Sequence, residues 1–411
     1  MADNANLTVR RSVLRGTSAG ANQGAAIAPD ARQGDSGRGG AVFAGAQSVL
    51  VMEDVVFSNA SAGFEGGAVF LGQGGTLEVR GGEFEDVAAG GYCFFSFCDS
   101  DPDWTDDWGD GCDVGYMGGY NKNTWWCDAF DPVSQQMCCG CGGGLAGERQ
   151  GLCTDQGRGT ISAASGQGGA IFAAKATNVR MSSVSVRHGS SAEGGAIYVQ
   201  EQAALDLLNT SFTECRAHQS GGALYLKAAK IELEDSRMYN NSAALYGGSL
   251  YLTSSELIGI RTTIENCKAQ AGGGILARSY SDLGLHEGSL IGSNEAEEFG
   301  GGIYMQLSSL AMTQSAMHGN TALMTDGGGI YAERASTIAL NGSSVTHNMA
   351  GDDGGFYYSQ GNHGACTLMV VDSVMHANIA EEMGGGIFTI NNGAEGGAIT
   401  LANVTASNNR A

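Results

Sequence analysis

Residues 221–246, GGALYLKAAKIELEDSRMYNNSAALY, hold one complete repeat of this chain, and the next repeat begins at Gly247. The repeat opens with two glycines, a small residue, an aliphatic residue and an aromatic residue. A second phrase, in which apolar residues alternate with other residues, starts at Ile231. From Gly168 onward the glycine pairs are 26, 27, 26, 25, 28, 27, 27 and 30 residues apart. A fixed period in this range is typical of a solenoid, a propeller or a repeat array.

Both phrases recur along the chain. The glycine phrase starts at Gly39, Gly66, Gly168, Gly194, Gly221, Gly247, Gly272, Gly300, Gly327, Gly354 and Gly384. The strand phrase starts at Leu7, Leu50, Leu77, Val179, Leu205, Ile231, Leu257, Leu283, Leu310, Ile338 and Leu368. Apolar residues two apart indicate strands, whereas propeller blades need about 40–45 residues and ankyrin or tetratricopeptide units need helices. We therefore predict an all-β fold, a parallel β-helix with one coil per glycine pair and about eleven coils.

Position four of the glycine phrase, counting the first glycine as zero, is aromatic in every repeat but one, where it is Leu276. Its residues are Phe43, Phe70, Phe172, Tyr198, Tyr225, Tyr251, Leu276, Tyr304, Tyr331, Tyr358 and Phe388. Position three is mostly aliphatic and includes Ile197, Ile303 and Ile330. Strand alternation then points position three into the core and position four outward.

The tyrosines of this position are our candidate ligand-binding residues: Tyr198, Tyr225, Tyr251, Tyr304, Tyr331 and Tyr358. They are expected to stand in an exposed line, about 4.8 Å apart, where aromatic faces can stack on sugar rings. Two alternatives remain open. The rings fill the core, or they shield the sheet between coils.

Asparagines recur six or seven residues before the glycine pair. They are Asn59, Asn240 or Asn241, Asn266, Asn294, Asn320, Asn348 and Asn378. Stacked asparagine side chains can satisfy the backbone of a repeated turn. We predict that these residues form such a stack.

The alternation of the glycine phrase with an apolar-x-x-Asn phrase, as in Met317-His-Gly-Asn320 and Met375-His-Ala-Asn378, resembles the passenger repeats of chlamydial polymorphic outer membrane proteins. More widely, it is similar to right-handed β-helix proteins of the pectin lyase-like superfamily. The resemblance covers nearly the whole chain and implies a right-handed coil. It does not decide the activity, because that superfamily holds both enzymes and adhesins.

A long insertion interrupts the repeats: 102 residues separate Leu77 from Val179. It holds all four tryptophans and eight of the eleven cysteines, which are Cys93, Cys98, Cys112, Cys127, Cys138, Cys139, Cys141 and Cys153. We predict a disulfide-stapled module at 91–159 between β-helix coils at 1–90 and 160–411, and hence an oxidising, extracellular compartment. Zinc is the competing interpretation, but the stretch lacks paired Cys-x-x-Cys units and histidine. The remaining cysteines, Cys215, Cys267 and Cys366, are expected to be buried free thiols.

The insertion also resembles a small cysteine-rich module of secreted algal and protist proteins, which implies no activity. Aspartates are dense between Cys98 and Cys112. Those at Asp101, Asp103, Asp106 and Asp110 are candidate ligands for Ca²⁺, which prefers several oxygen atoms. A solvated acidic loop is the alternative. No other cofactor is predicted.

The chain carries a formal net charge of −22, which disfavours nucleic acid as a partner. Acids such as Asp326 and Asp353 directly precede a glycine pair and form an acidic edge, either a solvated turn or a weak cation site. No apolar stretch of membrane-spanning length occurs, and the polar N-terminal segment is unlike a secretory signal. We expect a fragment of an extracellular or cell-surface protein or, alternatively, a rod whose ends stack on neighbouring copies.

Enzymes that hydrolyse glycosides need two suitably spaced carboxylates. The acids of the second phrase, Asp206, Glu232, Glu234 and Asp235, are scattered in sequence and predict no coherent cluster. No catalytic residue is therefore predicted. We expect a non-enzymatic β-solenoid for adhesion, cell covering or glycan recognition, with glycans or surface proteins as partners. The alternatives are a polysaccharide lyase or hydrolase of the pectin lyase-like class, and a spacer that displays the cysteine-rich module.

Overall fold

The computed structural model describes residues 5–19, 38–90, 166–361, 364–390 and 397–411, and the backbone course of 93–99 and 145–151. Its strands form a parallel β-solenoid, which confirms the predicted fold class. The described residues contain no helix, and therefore none that is long and apolar enough to cross a bilayer.

Three parallel sheets form the walls of the solenoid. The wide sheet has 21 described strands: Asn6–Arg10, Val13–Arg15, Val49–Ser58, Thr76–Glu85, Asn178–Arg187, Ala204–Leu208, Ser211–Thr213, Lys230–Glu234, Arg237–Tyr239, Glu256–Ile260, Thr263–Glu265, Asp282–His286, Leu290–Gly292, Ser309–Thr313, Ala316–His318, Thr337–Asn341, Ser344–Thr346, Thr367–Val371, Val374–His376, Ile399–Ala402 and Thr405–Ser407.

The other two sheets have 11 described strands each. The aromatic sheet follows the glycine pairs and comprises Val42–Ala44, Val69–Leu71, Ile171–Ala173, Ile197–Val199, Leu224–Lys227, Leu250–Thr253, Ile275–Arg278, Ile303–Gln306, Ile330–Glu333, Tyr357–Gln360 and Ile387–Ile390. The short sheet comprises Ser18–Ala19, Ser61–Ala62, Ala88–Ala89, Ser190–Glu193, Arg216–Ser220, Ser242–Ala243, Lys268–Ala269, Glu295–Ala296, Thr321–Ala322, Met349–Ala350 and Ile379–Ala380.

The glycine pair makes the sharp corner between the short and the aromatic sheet. Gly247 has φ of 62°, and a Cβ there would lie 2.1 Å from the carbonyl oxygen of Leu250. A Cβ on Gly248 would lie 2.1 Å from the carbonyl oxygen of Gly273 in the next coil. Only glycine fits a left-handed conformation with backbone this close. The pair therefore recurs wherever a coil turns this corner.

The core consists of the side chains that both phrases point inward. Ile197, Ile303 and Ile330 have no exposed surface, as predicted for position three. The first residues of the strand phrase pair in register across coils, as Leu257 does with Leu283, and both are fully buried. Each coil thus places one aliphatic layer directly on the next.

A buried stack of asparagines lines the turn between the wide and the short sheet. Its members are Asn241, Asn294, Asn320, Asn348 and Asn378, each at most 1% exposed. In Asn320, Nδ2 donates to the carbonyl of Ile291 at 3.0 Å and to Oδ1 of Asn348 at 2.9 Å. This confirms the predicted stack for these residues.

Two of the predicted asparagines, Asn59 and Asn266, lie outside this stack, so the prediction is wrong for them. Where the prediction was Asn240 or Asn241, Asn241 is the residue in the stack. Asn59, Asn240 and Asn266 occupy the preceding residue of the turn, with φ of 54°, 56° and 56°. Asparagine tolerates the left-handed conformation that this position requires.

Two cysteines take asparagine positions in the same stack. The backbone N–H groups of Cys215 and Cys267 donate to Oδ1 of Asn241 and Asn294 at 2.9 and 3.0 Å. Both thiols are free and fully buried, as is the free thiol of Cys366 at 3% exposure. The prediction of buried free thiols is confirmed.

The chain divides into two compact units, one of Met1–Gly91 with Ala163–Ala411 and one of Tyr92–Ser162. In the second unit, Cys93–Asp99 pairs antiparallel with Leu145–Gly151. The side chains of all eight predicted disulfide cysteines and of Asp101, Asp103, Asp106 and Asp110 lie outside the described residues. The module, its disulfides and its Ca²⁺ site therefore stay predictions.

Candidate functional site

The aromatic side chains of position four stack against the outside of the aromatic sheet, with a gap at Leu276, and we call this stack the aromatic ladder. The ring centroids of Tyr198 and Tyr225 are 4.8 Å apart, and those of Tyr225 and Tyr251 are 4.6 Å apart. These rings pack in a cluster separate from the aliphatic core. The predicted line of rings outside the core is therefore present.

The expectation that these rings are exposed is wrong. Tyr251 is 2% exposed and Tyr225 is 8% exposed. Side chains from other repeat positions lie against Tyr251: the guanidinium of Arg278 is 5.0 Å from its ring centroid, and the ring of Tyr246 is 6.5 Å from it. The rings shield the sheet, which is one of the two alternatives set out above.

The tyrosine hydroxyls are also engaged along the ladder. Tyr304 donates to Oε1 of Glu333 at 2.9 Å, and Tyr331 donates to Oε1 of Gln360 at 3.0 Å. Burial raises the pKa of Tyr358 to about 12. Sugar binding by the intact ladder stays a prediction, and a ligand would have to displace this covering layer.

A second candidate surface is a groove of about 290 Å³ on the outer face of the wide sheet. Arg180 pairs in register with Glu78 on one side and Asp206 on the other, and Asp206 pairs with Glu232. The floor of the groove is apolar, because Leu208, Ile258 and Ile260 also line it. Leu208 is 47% exposed.

The groove corrects our expectation that the acids of this sheet form no coherent cluster. Asp206 and Glu232 are neighbours in one column, and Glu78 and Arg180 extend it by two strands. Sequence reasoning missed Glu78 and Arg180. Aligning the strand phrases would have found them, because all four follow directly after the first residue of their phrase.

Each carboxylate that lines the groove is paired with a cation. Asp206 lies 3.2 Å from Arg180, and Glu232 lies 3.1 Å from Lys230. The guanidinium of Arg80 is 2.5 Å from Glu78.

Arg261 forms a larger network beside the groove. It reaches Glu234 at 2.5 Å, Asp235 at 2.6 Å and Glu287 at 2.7 Å. Its hydrogen bond lowers the pKa of Asp235. Carboxylates held beside cations act as hydrogen-bond acceptors rather than as proton donors.

The predicted acidic edge brings together the carboxylates of Asp326, Asp352 and Asp353, whose oxygen atoms lie within 4.8 Å of one another. Oδ1 of Asp326 accepts the backbone N–H of Asp353 at 3.1 Å. Burial, together with the neighbouring carboxylates, raises the pKa of Asp326 to about 6. These contacts describe an acidic turn, and cation binding there stays a prediction.

No protein-family model and no curated protein sequence matches this chain. It is similar to crystal structures of the periplasmic alginate epimerase AlgG: one at 9% identity covers 88% of this chain and 77% of the epimerase, with a TM-score of 0.35. A double mutant of that enzyme gives 9% identity, coverage of 87% and 77%, and a TM-score of 0.37. Likeness at this level carries no argument about this chain.

Proposed function

We propose that this chain is a non-enzymatic, extracellular or cell-surface β-solenoid that binds an extended glycan in the groove of the wide sheet. The observation that carries the proposal is the column of Glu78, Arg180, Asp206 and Glu232 beside an apolar floor. The groove crosses five adjacent strands, which at the usual strand spacing corresponds to about 19 Å.

The chemistry of the groove matches that of a sugar polymer. Pyranose rings present apolar C–H faces, for which Leu208, Ile258 and Ile260 offer an apolar floor. Their hydroxyl groups donate hydrogen bonds, which fixed carboxylates accept strongly. The lining residues include four acids and one cation, Arg180, so an uncharged glycan fits better than a polyanionic one.

The ion pairs favour binding over catalysis. Glycoside hydrolysis needs one carboxylic acid that is protonated before it acts. Asp206 and Glu232 each face a cation within 3.2 Å, and these contacts hold their oxygen atoms in place as hydrogen-bond acceptors. This arrangement supports an adhesin or a cell-covering protein.

A polysaccharide-modifying enzyme is the second candidate. It is favoured by the register of Asp206 and Glu232 on adjacent strands, since retaining glycosidases hold two carboxyl groups about 5–5.5 Å apart. Incubation of the protein with polysaccharides, followed by detection of reducing ends or unsaturated products, separates the two candidates. Release of product that is lost in Asp206→Asn would establish the enzyme.

The proposal is tested on an array of neutral and anionic glycans with the wild type and the Asp206→Asn/Glu232→Gln double variant. A control variant, Glu381→Gln/Glu382→Gln, removes the same charge from exposed residues elsewhere. We expect neutral extended glycans to bind the wild type and the control. Because a hydrogen bond to a charged group contributes about 1.5–3 kcal/mol, the groove variant should bind at least about tenfold more weakly. Equal binding by all three proteins, or no binding by the wild type, would refute the proposal.

A further inference from the structure

The aromatic ladder contains one position without a ring, and we infer that this gap binds a single pyranose ring. The gap lies on the aromatic sheet and takes a single ring, whereas the groove lies on the wide sheet and takes an extended glycan. Binding in the gap does not depend on glycan binding in the groove. Leu276 pairs in register with Tyr251 on one side and Tyr304 on the other. The missing ring therefore lies between two aromatic coils.

The shorter side chain leaves space above the sheet. Elsewhere along the ladder, neighbouring rings stack closely, as Tyr304 and Tyr331 do with centroids 5.2 Å apart. At Leu276 a cavity of about 220 Å³ is open to the surface. Leu276 lines the cavity but is only 3% exposed, so most of the surface open to a ligand belongs to the other lining side chains.

Aromatic side chains form the walls. Tyr246 lines the cavity, and its side chain is 38% exposed. Phe299, which packs against the ladder, and the ladder residue Tyr304 also line it. The ring of Phe299 lies 4.8 Å from that of Tyr331, which holds it in place. A flat ligand placed over Leu276 would therefore contact aromatic surface.

Polar groups stand at the rim of the same cavity. Gln270, Arg278 and Glu298 line it, and Nε2 of Gln270 donates to Oε1 of Glu298 at 3.0 Å. The rim thus offers a carboxylate, an amide and a guanidinium, which together donate and accept hydrogen bonds. Such groups can form hydrogen bonds with the hydroxyl groups of a sugar. A purely aromatic ligand has too few polar atoms to bind all of them.

The size of the cavity limits the ligand to one ring. The cavity of about 220 Å³ lies at one gap of the ladder, between the coils of Tyr251 and Tyr304. The groove has a similar volume but crosses five strands, so it can contact several sugars. Small ligands bind with limited affinity, so a single pyranose should bind in the millimolar range. The combination of aromatic walls, polar rim and small volume identifies the ligand class as a pyranose, free or at the end of a glycan.

The test uses saturation-transfer difference NMR with methyl glucoside, methyl galactoside, methyl mannoside and N-acetylglucosamine. Leu276→Tyr completes the ladder and fills the cavity. We expect at least one sugar to give a signal with the wild type. The signal should weaken at least tenfold with Leu276→Tyr, while the midpoint of thermal unfolding stays equal or rises.

Two further variants keep the inference falsifiable if Leu276→Tyr fails to fold. Glu298→Gln changes only the rim and should weaken the sugar signal several-fold. Asp206→Asn/Glu232→Gln leaves the cavity intact and should keep the signal, which separates this site from the groove. The inference is overturned if no pyranoside binds the wild type, if a folded Leu276→Tyr or the Glu298→Gln variant keeps the full signal, or if phenol and adenosine bind and the sugars do not.

Discussion

Removing one buried asparagine tests how the coils are joined. Asn320 has no exposed surface, and its Oδ1 accepts the backbone N–H of Asn294 at 3.1 Å and Nδ2 of Asn294 at 3.0 Å. Its Nδ2 also donates to the carbonyl oxygen of Ile291 at 3.0 Å. Asn320→Ala therefore leaves that carbonyl and the Asn294 N–H without these partners in a buried turn.

Each unsatisfied buried group costs about 1–3 kcal/mol. For two such groups we expect Asn320→Ala to lower the free energy of unfolding by about 4 kcal/mol, the middle of the resulting range of about 2–6 kcal/mol. The stability of a solenoid is approximately a sum over coils and their interfaces. The loss should therefore be largest locally, as faster amide hydrogen exchange in residues 291–294 and 318–322.

The assay combines denaturant unfolding with hydrogen-exchange mass spectrometry. Asn240→Gly is the matched control, because Asn240 is exposed, has φ of 56° and lies outside the stack. It should change stability by less than about 0.5 kcal/mol. Asn320→Cys should cost less than Asn320→Ala, because Cys267 already occupies an equivalent position. An Asn320→Ala protein within about 0.5 kcal/mol of the wild type, with unchanged exchange, would refute the reasoning.

Three further outcomes are expected. Gly248→Ala places a methyl group 2.1 Å from the carbonyl oxygen of Gly273. It should therefore lower the free energy of unfolding by more than about 4 kcal/mol, measured by denaturant unfolding. A near-neutral effect would contradict the corner geometry. Asp326→Asn should stabilise the protein at pH 7–8 by about 1 kcal/mol, a value reduced for solvent screening because the carboxyl is half-buried. The pKa of Asp326 is raised to about 6, so the wild type gains stability as the pH falls from about 7 to 4. The stability advantage of Asp326→Asn should therefore vanish near pH 4. A stability difference that does not depend on pH would contradict the raised pKa of Asp326. Burial raises the pKa of the Cys215 and Cys267 thiols to about 12, so both should resist a thiol reagent in the native protein and react after unfolding; rapid native labelling would contradict their burial.

The repeat made the strand register predictable. Because position three recurs at a fixed distance from the glycine pair, the burial of Ile303 and its stacking on Ile330 could be predicted directly. The covering of the Tyr251 ring by other side chains could not be predicted. Alternation indicates which face of a strand a side chain occupies, but not that Arg278 and Tyr246 lie over that face.

The groove and the turn show two other limits of the sequence. The long insertion separates Glu78 from Arg180 in sequence, although their strands are adjacent. The acids are therefore scattered in the sequence, although the stacked coils bring them into one column. In the turn, Asn240 has φ of 56° and is exposed, whereas Asn241 is buried in the stack. Adjacent identical residues cannot be told apart by residue type.

The length dependence of glycan affinity tests the central proposal most directly. For a neutral glycan that binds the protein, isothermal titration calorimetry is carried out with oligosaccharides of increasing length. The groove predicts that affinity rises with each added sugar and levels off once the chain spans about 19 Å. It also predicts that the rise is lost in Asp206→Asn/Glu232→Gln. An affinity that is independent of length, or a rise that this variant keeps, would contradict glycan binding in the groove.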